Sequence, residues 1–299
     1  MKKMLLALFF IYTNWAVAAA DTVHPLSALH LDHPPTRVAT LDWALSETVM
    51  SLGVTPVAAS DTQNYNQWVS KPSLPDSVAD LGSRTEPNVE LLTKLKPDLI
   101  LISSYLLPAY DTLSRIAPVA VVDIYNDSQT PLANAEQLTR ELGQILNREQ
   151  QAEDLIKQTR QHLQDNGAKL RQAGADDRNL MFIRFVNKQT LRIHGKGSLI
   201  NDTITQMGLH NEWQQATNSW GFATTEISKI AEHQDTRVLI FGPLRPKDRE
   251  ALTQSPLWQA MAFTRNKQVY ELPAIWSFGS LIAARRLSDN ITRLLTEQP

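Results

Sequence analysis

The residue in this sequence best suited to bind a ligand is Arg84. It sits in Gly82-Ser-Arg-Thr-Glu-Pro-Asn88, a loop that feeds directly into a predicted helix. A guanidinium offers five donors and keeps its charge, which suits the clustered oxygens of a chelate or a carboxylate. An ion pair with Glu86 is the competing use. Aromatic side chains collect in stretches that have neither strand nor helix period. Trp68 lies in Asn64-Tyr-Asn-Gln-Trp-Val69, Trp220 in Thr217-Asn-Ser-Trp-Gly-Phe222, and Trp276 and Phe278 in Leu272-Pro-Ala-Ile-Trp-Ser-Phe-Gly279. Each alone is better explained as core, but three such loops drawn from both halves of the chain predict a shared aromatic pocket.

No catalytic motif accompanies them. G-x-S-x-G, H-E-x-x-H, H-R-D and G-x-G-x-x-G are all absent, and His194-Gly-Lys-Gly-Ser198 lacks the full phosphate-loop pattern. The seven histidines are scattered, with His24, His30 and His33 in a presumed terminal arm and His162, His194, His210 and His233 far apart. A zinc site would need them clustered. With no cysteine, disulfides, thiolate metal sites and Cys nucleophiles are excluded. The expectation is therefore no enzyme, no intrinsic cofactor and no protein-held metal.

The elements that must position these residues divide the chain. Lys2 and Lys3, the apolar run from Met4 and the small Ala18-Ala19-Ala20 predict a secretory signal peptide over residues 1–20. Its removal takes two lysines and no acid, moving the formal charge from −2 to −4, which argues against a nucleic-acid partner. Strands predicted at 37–42, 57–60, 99–102 and 119–122 alternate with helices near 43–52, 88–95 and 110–116, giving an N-terminal α/β lobe over 21–129. From Thr130 an apolar stripe (Leu132, Ala135, Leu138, Leu142, Ile145, Ala152, Leu155, Ile156) predicts one long connecting helix over 130–165, stopped at Asp165-Asn-Gly167. Strands at 180–184, 238–241 and 268–270, with helices at 198–207 and 278–295, then repeat the α/β logic in a C-terminal lobe over 166–299. Two lobes of central sheet flanked by helices, joined by one long helix, leave a ligand cleft between them.

The stretches Trp68-Val-Ser-x-Pro-x-Leu-Pro-Asp-Ser-Val78, Gly82-x-Arg-Thr-Glu-Pro-Asn88 with x-Glu-Leu-Leu-Thr93, and Ile116-Ala-Pro118 resemble the periplasmic iron(III)-hydroxamate (ferrichrome) siderophore-binding proteins, of the helical-backbone class. So do Asn211-x-Trp-Gln214, Thr217-Asn-x-Trp-Gly221, Pro256-Leu-Trp-Gln-Ala-Met261 and Pro273-Ala-x-Trp276. The resemblance covers essentially the whole mature chain. It implies a monomeric periplasmic carrier that hands a ferric siderophore to an inner-membrane ABC permease. It also implies that Arg84 donates to the hydroxamate oxygens and that Trp68, Trp213, Trp220, Trp276 and Phe278 line the pocket. Iron is cargo already wrapped by its chelator. Where the family carries a tryptophan and a tyrosine, this chain has Ile102 and Leu106, leaving Tyr105 as the displaced source of a hydroxyl. Permease docking by one acidic residue per lobe maps to Glu90 and, with Ser228 at the second matched position, to Glu226. Ferric citrate or catecholates, haem and cobalamin are the alternative cargoes.

Overall fold

The computed structural model describes Leu26, Leu29 and residues 31–187 and 189–297. The expected signal peptide, His24 and His30 lie outside the described residues. In the first half, β1 (Val38–Thr40), β2 (Ala58–Ala59), β3 (Ala79–Asp80), β4 (Leu99–Ile102) and β5 (Val119–Val121) form an all-parallel sheet in the order β3-β2-β1-β4-β5. Helices α1 (Trp43–Ser51), α2 (Thr62–Trp68), α3 (Val89–Leu95) and α4 (Tyr110–Leu113) connect these strands. Asn88 caps α3 by accepting from Leu91 N at 2.9 Å, so the Arg84 loop ends on a fixed point. The segment around Trp68, expected as a loop, is α2. Tyr65, Trp68 and Val69 fall on one helical face, which packs beside Trp43.

The apolar stripe over 130–165 is built as two helices, α5 (Pro131–Ile145) and α6 (Glu149–Gln172), rather than one rod. They pair antiparallel: Arg140 Nε bonds Glu153 Oε1 at 2.9 Å, and Arg160 bonds Glu136. The turn is Leu146-Asn147-Arg148, with Asn147 at φ 51°. Gly143 permits the crossing, since a Cβ there would lie 2.6 Å from Ala152 Cβ. Nor does α6 stop at Asp165-Asn-Gly167. Asn166 is buried and donates to Ser288 Oγ (3.0 Å) and Asp289 Oδ1 (2.9 Å). At Gly167 an added Cβ would meet Met207 O at 1.9 Å, so this glycine marks a close approach of two helices. With 24 residues, α6 runs about 36 Å.

The second half holds β6 (Leu180–Phe185), β7 (Thr190–His194), α7 (Leu199–Gln206), β8 (Phe222–Glu226), β9 (Arg237–Phe241), α8 (Pro246–Thr253), α9 (Pro256–Ala260), α10 (Ala262–Arg265), β10 (Val269–Leu272) and α11 (Leu281–Thr296). Its sheet runs β10-β9-β6-β7-β8, parallel among β10, β9 and β6 and antiparallel at β7 and β8. One buried core joins both halves, from Val38 and Leu99 through Leu138, Ile156 and Leu163 to Phe182 and Ile291. Separate cores cover the outer face of each sheet.

Candidate functional site

A cavity of about 390 Å³ lies between the two sheets. Its first wall comes from residues just past the carboxyl ends of β1, β4 and β5: Asp42, Tyr105, Asp123 and Tyr125. In open α/β sheets that edge is where crevices form. The second wall comes from Arg192 on β7, Trp220 and Phe222 at the start of β8, and Trp276 and Phe278 in the segment between β10 and α11.

Arg84 lies over two indoles, with its guanidinium carbon 4.1 Å from the Trp43 ring centroid and 5.1 Å from that of Trp276. The indoles themselves meet edge-on at 4.7 Å, and Trp43 Nε1 donates to Ser60 O at 3.1 Å. Among the described residues Arg84 has no ion pair with Glu86 or any other carboxylate within 4.0 Å. Aromatic faces hold the guanidinium in position while leaving its N–H edge free. Asp42 caps α1, accepting from Ala44 N at 2.8 Å. Burial pushes its carboxyl above the usual range, opposed by the Ala44 N–H and the Arg84 charge.

Trp220 stacks on Tyr125, with centroids 5.5 Å apart and planes at 17°, and remains 40% exposed, so its outer face is open to a ligand. Phe278 closes the corner edge-on to Trp220 (5.4 Å), Tyr125 (5.7 Å) and Trp276 (5.5 Å). The Trp276–Ser280 segment, part of the second half by sequence, is fastened by the first. Tyr125 OH donates to Gly279 O at 2.8 Å, and Glu47 Oε1 accepts from Ser280 N (3.1 Å) and Ala283 N (3.0 Å) at the start of α11.

Thus Arg84, Tyr105, Trp220, Trp276 and Phe278 meet at one cavity. Tyr105 already donates its hydroxyl proton to Leu41 O at 3.1 Å, and burial, then the Asp42 charge, holds that hydroxyl far above its ordinary pKa. Ile102, the last residue of β4, and Leu106 belong to the outer core of the first sheet. Two expected pocket residues stand elsewhere. Trp213 is buried in the outer core of the second sheet at 3% exposure. Trp68 packs at the edge of the Trp43–Tyr65 cluster, beneath the Arg184 guanidinium at 5.6 Å. Glu90 and Glu226 are exposed, at the start of α3 and the end of β8. Trp43, Tyr125 and Asp42 were not legible as wall residues, because each sits near an element boundary where an apolar or capping role accounts for it. Among the described residues no cluster of His, Asp or Glu has a geometry that would hold a metal ion. His162 and His233 instead pair with Asp289 (2.5 Å) and Glu212 (2.7 Å).

The walls combine aromatic rings with Arg84, Arg192, Asp42 and Asp123, which suits a compact ligand that presents both apolar edges and polar atoms. Comparison with known proteins gives the family. The family model described as "Periplasmic binding protein" matches residues 38–275. The chain is 36% identical over 259 residues to the iron(3+)-hydroxamate-binding protein FhuD of Escherichia coli K12, with 86% of each chain covered. It is 26% identical to the achromobactin-binding periplasmic protein of Dickeya dadantii, covering 87% of this chain and 86% of that one. Its fold superimposes on the Fe3+-Desferal-bound siderophore-binding protein FhuD of Vibrio cholerae with a TM-score of 0.83 at 30% identity, over 87% of this chain and 98% of the other.

Proposed function

We propose that this chain, which belongs to the periplasmic binding protein family, takes iron(III)-hydroxamate siderophores of the ferrichrome and ferrioxamine type as its cargo. It is a periplasmic siderophore-binding protein that delivers an iron chelate to an ABC permease, and it is not an enzyme. The observation that carries the hydroxamate reading is Arg84 set over Trp43 and Trp276 with no carboxylate ion pair among the described residues, in a cavity whose aromatic wall is completed by Trp220, Phe222 and Phe278. Three hydroxamates cancel the charge of ferric iron. The chelate core is therefore neutral and apolar-edged, with oxygens exposed on one side. Aromatic walls cover such an edge at low desolvation cost, and Arg84 donates to the oxygens.

In this reading Trp220, Trp276 and Phe278 enclose the chelate and Tyr105 borders it. Trp68 and Trp213 act at one remove, by supporting the walls. The lobes, 21–129 and 166–299 about a connector over 130–165, work as a monomer, and Glu90 and Glu226 meet the permease. Tryptophan fluorescence of the mature protein, titrated with ferrichrome, ferrioxamine B, ferric citrate, haemin and cobalamin, tests the cargo. Saturable quenching by the hydroxamates alone supports the reading. Tight binding of another chelate with no response to either hydroxamate overturns it.

A further inference from the structure

Arg184 and Arg192 stand directly opposite each other across the antiparallel β6–β7 pair. Like charges in that position repel, and their side chains share the sheet face that carries Phe182 and His194. Arg192 lines the cavity with its guanidinium 4.6 Å over the Phe222 ring. Arg184 lies 5.2 Å from the Phe241 centroid and 5.6 Å from that of Trp68, which reaches over from the first lobe. One terminal nitrogen of Arg184 is buried without a hydrogen-bond partner, and among the described residues neither arginine takes part in an ion pair. Their buried neighbour His194 is two residues along β7 and supplies no counter-charge. A guanidinium nitrogen buried without a partner is costly, and a second positive charge on the residue directly opposite adds to the cost.

Such an arrangement is half of an ion pair. We propose that Arg184 and Arg192 form an anion-recognising subsite on the second lobe that takes a pendant carboxylate of the ferric hydroxamate. The protein thereby favours chelates with an anionic arm over those with a cationic arm. The inference rests on the hydroxamate reading above and adds to it: Arg84 engages the neutral iron core, while the β6–β7 arginines select what hangs from it.

Desferrioxamine B provides a matched series. Its ferric complex carries a free ammonium arm, its N-acetyl derivative a neutral arm, and its N-succinyl derivative a carboxylate, all around the same iron core. Affinities measured at low ionic strength should rank succinyl, acetyl, amine, spanning about tenfold or more, the value of one charge-assisted hydrogen bond. In Arg192→Gln and Arg184→Gln the ratio between succinyl and amine forms should collapse towards one, whatever the change in absolute affinity. Arg192→Lys should keep the ranking, which separates charge from packing over Phe222. Equal wild-type affinities, a preference for the amine, or a ratio that survives both Gln variants overturns the subsite. So does an equal weakening of all three complexes in Arg192→Gln, which would mean that the arginines pair with Asp42 or Asp123 across the cleft. If none of the three complexes binds, the hydroxamate reading has failed, and the same variants titrated with ferric citrate decide the subsite alone: lost binding keeps it and unchanged binding removes it.

Discussion

At the scale of single residues, two tryptophans matched to the same family pattern should behave in opposite ways. Trp220→Ala removes an exposed ring that stacks on Tyr125 and meets Phe278 edge-on, so cargo affinity should fall about tenfold while the melting temperature hardly moves. Trp213→Ala empties a buried site and should cost about 3–5 kcal/mol of stability, measured by urea unfolding. Arg84→Ala should weaken ferric-hydroxamate binding at least tenfold, while the lost stacking on Trp43 costs stability only about 1 kcal/mol. Equal loss of binding and stability would make Arg84 a structural residue. Arg84 was legible in the sequence because its loop offers no other partner but Glu86. Trp43 and Tyr125 were not, because an aromatic a few residues past a strand looks the same whether it faces the core or the cleft.

At the scale of elements, two buried titratable groups pull stability in opposite directions. Glu47 on α1 is fully buried and caps α11, with Arg286, Tyr65 and Tyr125 as its charged or titratable neighbours. Burial, only partly offset by the Ala283 and Ser280 N–H groups, raises its pKa from 4.5 to about 7. The folded chain therefore holds a proton that the unfolded chain has released, and Glu47's contribution falls as pH rises from 4.5 towards 7. His194 on β7 is lowered from 6.5 to about 3 by burial and by Arg184 and Arg192, so its contribution is lost as pH falls from 6.5 towards 3. Relative to wild type, Glu47→Gln should gain stability with rising pH, and His194→Leu should gain it with falling pH. Each slope approaches about 1.4 kcal/mol per pH unit between pH 5 and 6. Parallel unfolding curves would remove either group from this role. Strand β4 and the first four residues of β6 were legible as unbroken apolar runs. Strands β7 and β8 were not, because Arg192, Thr224 and Glu226 interrupt their apolar pattern. The α5–α6 turn was hidden for a different reason: its apolar spacing continues through Leu146, and Asn147 reverses the chain without proline or glycine.

At the scale of the whole molecule, the two lobes share one core through α5, α6 and α11 instead of being tied by a loose linker. Rotation of one lobe against the other would have to break buried contacts such as Glu47 to Ser280 and Ala283, so the lobes should move little on loading. Small-angle scattering should give radii of gyration within about 1 Å with and without cargo. A larger contraction would point to a hinge within the α5–α6 pair. Charge reversal at both Glu90 and Glu226 should abolish cargo transfer to the permease while leaving cargo affinity intact, because both carboxylates are exposed and neither lines the cavity.

The fastening of the Trp276–Ser280 segment has a consequence for how such carriers diversify. The indole that flanks Arg84 and the helix that follows it come late in the chain, yet Trp43, Glu47 and Tyr125 come early. A recombination that exchanges whole second lobes between relatives would separate α11 from its cap and Trp276 from its neighbour. New cargo preferences must then arise by point substitution in both walls together, or by crossovers that carry α1 along with the chain's last helix.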